Sequence, residues 1–209
     1  MADLLERIRG VPRILGFRFS ENIAEILMEN CGKSVYQFTK GPEYMRLSLY
    51  HRSCIAFDLV RQIMEPLKLV HQQNYVHGDI KPDNICMRRR DNLHFTQPPK
   101  PKEKYESEFI FTLIDFGIIS RFKVKKTVKV YDSVLGNLMF ATLRGLNQQQ
   151  SRFQDDVDSL FFLAYQFIFG TLPWDDDFRK RRGRLVEDNY QQLKIKNYFK
   201  SRRKMATDF

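Results

Sequence analysis

Apolar positions follow two rhythms along this chain. Ile14 to Phe19 and Ile23 to Met28 are short runs of strand-forming residues. Ser20-Glu21-Asn22 between them is turn chemistry, which predicts a hairpin. From about Ser48 to Gln73, Ile55, Leu59, Ile63 and Leu67 recur at steps of four and fall on one face of a helix. Pro66 lies inside that pattern and predicts a kink or a break. Ile85-Cys86-Met87 and Phe109 to Ile114 return to strand composition. The apolar density of Leu160 to Phe169 predicts a helix buried nearly all round. Two further segments are weaker in pattern. Leu4, Leu5 and Ile8 suit the last turns of an amphipathic helix, ended at Gly10-Val11-Pro12 because proline disfavours helix at the residue before it. Lys123 to Val130 alternates basic and apolar residues, as an exposed strand would.

Between the strands at 85–87 and 109–114, Arg88 to Glu108 changes character. It is rich in charge and contains Pro98-Pro99-Lys100-Pro101, so it reads as a flexible insertion. The 209 residues suit one domain or two small lobes. No apolar run is long enough to span a bilayer, and Met1-Ala2-Asp3-Leu4-Leu5-Glu6 lacks the basic start and apolar core of a secretory leader. The three cysteines, Cys31, Cys54 and Cys86, make no metal pattern and cannot all pair, which favours a reduced, intracellular setting, cytoplasmic or nuclear. The net charge is +10. Basic residues cluster at Arg88-Arg89-Arg90, Lys123 to Lys129, Arg179 to Arg184 and Lys194 to Lys204. No aromatic stacking pattern accompanies them, so solvated faces or an acceptor for acidic protein fit better than nucleic acid.

The chemistry concentrates in Val76-His77-Gly78-Asp79-Ile80-Lys81-Pro82-Asp83-Asn84. An acid, a base and an amide share one short loop, and a second acid follows in Leu113-Ile114-Asp115-Phe116-Gly117. Phosphoryl transfer needs this set: a carboxylate for the attacking hydroxyl, a cation for the phosphate, oxygen ligands for magnesium. The same residues would also serve a polar loop closing a helix, with Asp79 as a turn or cap residue.

The loop resembles the catalytic loop of eukaryotic protein kinases, and Asp115-Phe116-Gly117 resembles their metal-binding tripeptide. Lys81 beside Pro82 is the serine/threonine form. Met28-Glu29-Asn30-Cys31-Gly32 is similar to the Met-Glu-Leu-Leu-Gly hinge of the casein kinase 1 family, although a strand end followed by a glycine turn would read the same. Gly136-Asn137-Leu138-Met139-Phe140-Ala141-Thr142 resembles that family's Gly-Thr-Ala-Arg-Tyr-Ala-Ser stretch. Asp155-Asp156-Val157-Asp158-Ser159-Leu160 through Gly170-Thr171-Leu172-Pro173-Trp174 matches the Asp-Asp-Leu-x-Ser-Leu…Gly-x-Leu-Pro-Trp pattern of casein kinase 1 and tau-tubulin kinase relatives.

The resemblance implies an α+β, protein-kinase-like fold. It would comprise a mostly helical C-lobe (35–209), a hinge (29–34) and only the last N-lobe strands (1–28). It implies a serine/threonine protein kinase that uses ATP and magnesium, with a protein substrate; from the residues themselves neither a membrane nor nucleic acid is expected as partner, and the oligomeric state is open, with a monomer the expectation. By resemblance Asp79 orients the substrate hydroxyl and accepts its proton, and Lys81 neutralises charge on the transferring phosphoryl group. Asn84 and Asp115 hold magnesium. Met28 is the gatekeeper, the backbones of Glu29 and Cys31 meet adenine, and Cys86 lies under it. His77, Phe116 and Asp156 support the site. Asp156 would accept catalytic-loop N–H groups, and a helix N-cap is the other reading of that acid. His71, late in the long helix, is read as structural.

Departures accompany the match. Gly78 replaces the usual arginine before the catalytic aspartate, as in vaccinia-related kinases, which implies activity without activation-loop phosphorylation. Asn137 stands where kinases have a threonine bridging the catalytic acid and lysine. Met139 and Asp132 stand where casein kinase 1 has basic residues that recognise a primed phosphate. No glycine-rich loop and no Val-Ala-Ile-Lys motif is found, nor a clear helix glutamate, Glu6 lying close to Pro12. The final helices are also missing. A chain so truncated, as a fragment or as a true product, leaves a second reading: a pseudokinase that scaffolds protein partners.

Overall fold

The computed structural model describes residues 10–90, 107–122, 136–175 and 205. The chain divides into two compact units, one of residues 1–73 with 82–117, the other of 74–81 with 118–209. The expectations for the first residues, the interior of the insertion, Lys123 to Val130, Asp132 and the basic stretches beyond residue 175 lie outside the described residues.

In the first unit, β1 (Ile14–Ser20) and β2 (Ile23–Met28) pair antiparallel across a two-residue turn. Phe17 lies opposite Ile26, and Arg18 opposite Glu25, with which it forms an exposed ion pair. Leu15, Phe17, Phe19, Ile23, Ile26 and Leu27 remain exposed. A second sheet has the order β3-β5-β6, from β3 (Lys33–Ser34), β5 (Ile85–Arg89) and β6 (Phe109–Leu113). β5 runs two residues beyond the apolar Ile85-Cys86-Met87, because Arg88 and Arg89 still pair with Ile110 and Phe109. Arg90 N–H then donates to Glu108 C=O at 2.8 Å, one step beyond the β5–β6 ladder.

Two short helices follow β3. α1 (Val35–Thr39) starts on a capping box: Ser34 Oγ accepts Gln37 N–H, and Gln37 Oε1 accepts Ser34 N–H. α2 (Pro42–Met45) has proline at its start, where a missing N–H costs nothing. α3 (Leu49–Gln72) is capped by Ser48 Oγ, which accepts His51 N–H. It is one continuous helix through Pro66, so no break occurs there. The proline is buried on the same face as Leu59, Ile63 and Leu67, which are out of solvent as their spacing predicts.

α3 also holds the outer edge of β6. Gln62 Nε2 donates to Phe109 C=O at 2.9 Å, and Phe111 N–H donates to Gln62 Oε1 at 3.1 Å. One side-chain amide thus pairs with an edge strand as a neighbouring peptide would. Asp58, buried beside it, accepts from Arg61, Gln62 and the Ser107 hydroxyl, which pins the residue where the insertion re-enters the sheet. Gln62→Leu keeps the bulk and removes both strand contacts. It is expected to lower the unfolding free energy by about 2 kcal/mol in urea titration. A loss under about 0.5 kcal/mol, the level of an ordinary surface change, would count against the clamp.

In the second unit, β4 (Tyr75–Val76) pairs antiparallel with β7 (Ser120–Arg121), and Phe122 N–H extends the ladder to Asn74 C=O. α4 (Leu143–Leu146) is capped by Thr142. α5 (Phe153–Phe169) ends at Gly170. Leu160, Phe162, Leu163, Tyr165, Phe167 and Ile168 are buried, while Phe161 is half exposed, so the helix is buried on most but not all of its surface. Trp174 packs edge-on against Phe162 at 5.1 Å. Among the described residues no helix is long and apolar enough to cross a membrane.

Candidate functional site

The second unit holds the acid and the base. After Val76 the chain turns through His77 and Gly78 into Asp79. His77 N–H and Gly78 N–H donate to the two carboxylate oxygens of Asp156, each at 2.8 Å. Asp156 stands on the first turn of α5, only 1% exposed. A buried acid is costly unless it is hydrogen-bonded, and each of its oxygens accepts a backbone N–H here. Gly78 adopts φ +81°, a region in which a side chain would be strained. Glycine therefore suits the backbone that Asp156 grips. His77 is buried, and its Nδ1 accepts Asp79 N–H at 3.3 Å.

Both oxygens of Asp79 are engaged. Lys81 Nζ donates to Oδ2 at 2.6 Å, and Asn137 N–H donates to Oδ1 at 3.1 Å. The segment that supplies the second donor is itself tied down. Ser159 Oγ donates to Phe140 C=O at 2.9 Å, and Trp174 Nε1 to Met139 C=O at 3.0 Å. The Thr142 hydroxyl donates to Asp155 at 2.5 Å. Asp155 also accepts Arg152 N–H at 2.7 Å, so it, not Asp156, closes the start of the helix. Burial pushes the Asp155 carboxyl up, opposed by the Thr142 and Arg152 bonds and by the nearby Arg144 guanidinium. The sequence reading quoted Asp155 only as part of a motif. The signal that could have singled it out is an acid three residues after the residue that begins the helix.

The first unit holds the remaining candidates. Asn84 ends a 3-10 turn, Pro82–Asn84, that directly follows Lys81. Its carbonyl accepts Ile114 N–H at 2.9 Å, one rung beyond the Ile85–Leu113 pair, which brings Asn84 beside the residue preceding Asp115. Asp115 is exposed, at φ +64°, and its Oδ1 accepts Gly117 N–H at 3.1 Å. A non-glycine residue held in the left-handed region marks a constrained position of the kind that gathers at functional sites. Phe116 follows it, half-buried. Magnesium takes hard oxygen donors and is held by one or two protein groups plus phosphates and waters. The Asn84 amide and Asp115 carboxylate fit that open donor set. Among the described residues no group of three His, Cys, Asp or Glu offers a closed cage.

Met28 ends β2, paired with Ile14. Glu29 N–H donates to Arg13 C=O at 3.0 Å, and Cys31 Sγ to Glu29 C=O at 3.5 Å. Cys31 also interacts with Thr112, Arg88 and Cys86, all on one face of the β5–β6 pair. Of the hinge candidates, Cys31 is therefore the one that lies near Cys86. Burial pushes both thiols up, with Glu29 and Cys86 adding to the shift at Cys31.

A protein kinase domain model matches residues 16–208. The chain belongs to the protein kinase domain family. Among curated proteins it is similar to casein kinase I homologues. A Caenorhabditis elegans protein named as a casein kinase I is 27% identical over 179 residues, which is 82% of this chain and 47% of that protein. An Encephalitozoon cuniculi protein named as a casein kinase I homologue is 27% identical over 155 residues, 71% of this chain and 43% of that protein. The chain spans less than half the length of these two relatives.

Proposed function

We propose that this chain is the catalytic part of a serine/threonine protein kinase, moving the γ-phosphate of ATP to a protein hydroxyl. The carrying observation is Asp79, held through one oxygen by Lys81 and through the other by the Asn137 amide, on a loop gripped by Asp156. Asp79 orients the substrate hydroxyl and takes its proton. Lys81, beside it, meets the negative charge of the transferring phosphoryl group. Asn84 and Asp115 would hold magnesium, which when bound supplies positive charge against the ATP phosphates. Most of the barrier reduction is positioning and electrostatics rather than covalent chemistry. Met28, Glu29 and Cys31 line the adenine, with Cys86 beneath it. By this reading residues 1–28 are a remnant of the small lobe, 29–34 the hinge, and 35–209 the large lobe. The exposed apolar side chains of β1 and β2 suit strands that belong to a larger sheet, since an isolated hairpin is marginal in water. Three free cysteines suit an intracellular setting.

The test uses protein isolated from its own cells, incubated with magnesium, labelled ATP and a serine/threonine peptide library. Phosphoserine or phosphothreonine above the no-enzyme level is the expected result. Absence of both transfer and ATP binding would overturn the reading and leave the scaffold role.

A further inference from the structure

We propose that Gly136 is the positioning residue for Asp79: its bare α-carbon lets the Asn137 backbone N–H reach the acid, which has no threonine hydroxyl at 137 to hold it. This rests on the kinase reading above. Four observations lead to it. First, Asn137 occupies the position at which a bridging threonine hydroxyl is expected, yet its side chain is turned to its own segment: Oδ1 accepts Met139 N–H at 2.8 Å. Second, the contact to the acid comes instead from the Asn137 backbone N–H, which reaches Asp79 Oδ1 at 3.1 Å. Third, that approach requires the preceding residue to lie directly on the catalytic loop. A Cβ built at Gly136 would stand 2.8 Å from Gly78 C=O and 3.1 Å from Asp79 Oδ1. The first of these is a distance that Cβ atoms do not adopt, and its partner is backbone that cannot rotate away. Fourth, Gly136 has φ +79°, so two demands, space and conformation, fall on the same residue.

A backbone amide differs from a hydroxyl as a partner. It is a donor only, and it cannot rotate. Fixed to Oδ1, it leaves Oδ2 to Lys81 and sets the plane of the carboxylate. A methyl group at 136 would push the 136–137 backbone off the loop, lengthen the hydrogen bond from the Asn137 N–H to Asp79 and free the carboxylate to turn.

The test is amide hydrogen exchange on the full 209-residue chain. The Asn137 amide is expected to exchange at least about tenfold faster in Gly136→Ala and in Asp79→Ala, the fold-change of losing about 1.4 kcal/mol of protection. Amides from Leu160 to Ile168 in α5 should keep their native rates, which separates this effect from general loosening. Asn137→Ala keeps the backbone N–H and should keep its slow exchange. An unchanged Asn137 rate in folded Gly136→Ala overturns the proposal. Should Gly136→Ala not fold, the Asp79→Ala arm decides alone: an unchanged Asn137 rate there overturns it equally. In the native protein, Gly136→Ala is expected to lower kcat about tenfold with the KM for ATP unchanged. If the native protein transfers no phosphate, the kinase reading fails while the exchange contrast still stands or falls on its own.

Discussion

Asp79→Asn is expected to lower phosphoryl transfer by about a thousandfold, the middle of the range for loss of a positioned acid–base group. Affinity for magnesium and ATP should stay within about twofold, since the candidate groups for both are other residues. The substitution isolates the chemistry from the geometry. A carboxamide has the size of the carboxylate and keeps an oxygen where Oδ1 accepts Asn137 N–H at 3.1 Å. The loop should therefore hold its shape. The negative charge that draws Lys81 to 2.6 Å is lost, and with it the ability to take a proton from a hydroxyl. Initial rates with a serine peptide, set beside calorimetric ATP binding, check this. Transfer at more than about a tenth of the native rate would remove Asp79 from its role. Loss of ATP binding in step with rate would show that the variant disturbs the fold rather than the chemistry.

The long elements of this fold are legible in the sequence because each carries a period. The hairpin at 14–28, the helix through Leu59, Ile63 and Leu67, and the apolar helix ending at Phe169 are all found near their expected bounds. The short elements are not legible in that way. β3, β4 and β7 are two residues each, and α2 and α4 four, too short for any rhythm. The short strands rest on partner strands, α4 on the Thr142 cap, and α2 on the proline at its start. Ser34 with Gln37 is a capping-box spacing visible in the sequence, and it could have located α1. Of the kink or break expected at Pro66, the break is absent, because the helix carries the proline, buried on its core face, without ending. At the candidate site the side chains were legible and the backbone was not. Asp79, Lys81, Asn84 and Asp115 stand out by type and spacing. The roles of Gly136, of the Asn137 amide and of Gln62 depend on which backbone groups lie opposite them, which residue type alone does not encode.

Asp156→Ala is expected to cost about 3 kcal/mol of stability, read as a fall of roughly 6–12 °C in the thermal midpoint. The carboxylate is 1% exposed and receives two N–H groups from the catalytic loop. Alanine would leave both donors without that partner, and His77 lies out of solvent. Each stranded donor costs about 1–3 kcal/mol, partly offset because an ionised group no longer has to be buried. The magnitude decides between two roles for this acid. A carboxylate that merely faced the positive end of α5 would contribute about 0.3–1 kcal/mol, and the bonds that close the helix start already belong to Asp155. A loss below about 1 kcal/mol would therefore return Asp156 to a helix-end role. A loss near 3 kcal/mol, with α5 still helical by circular dichroism, would mean the energy resides in the loop that carries Asp79. Asp156→Asn sharpens the distinction. Its oxygen can accept only on one side while its amide group faces the other N–H, so it should fall between alanine and the native acid. A helix-end role would instead make asparagine and alanine alike, each losing only the about 0.3–1 kcal/mol that the charge contributes.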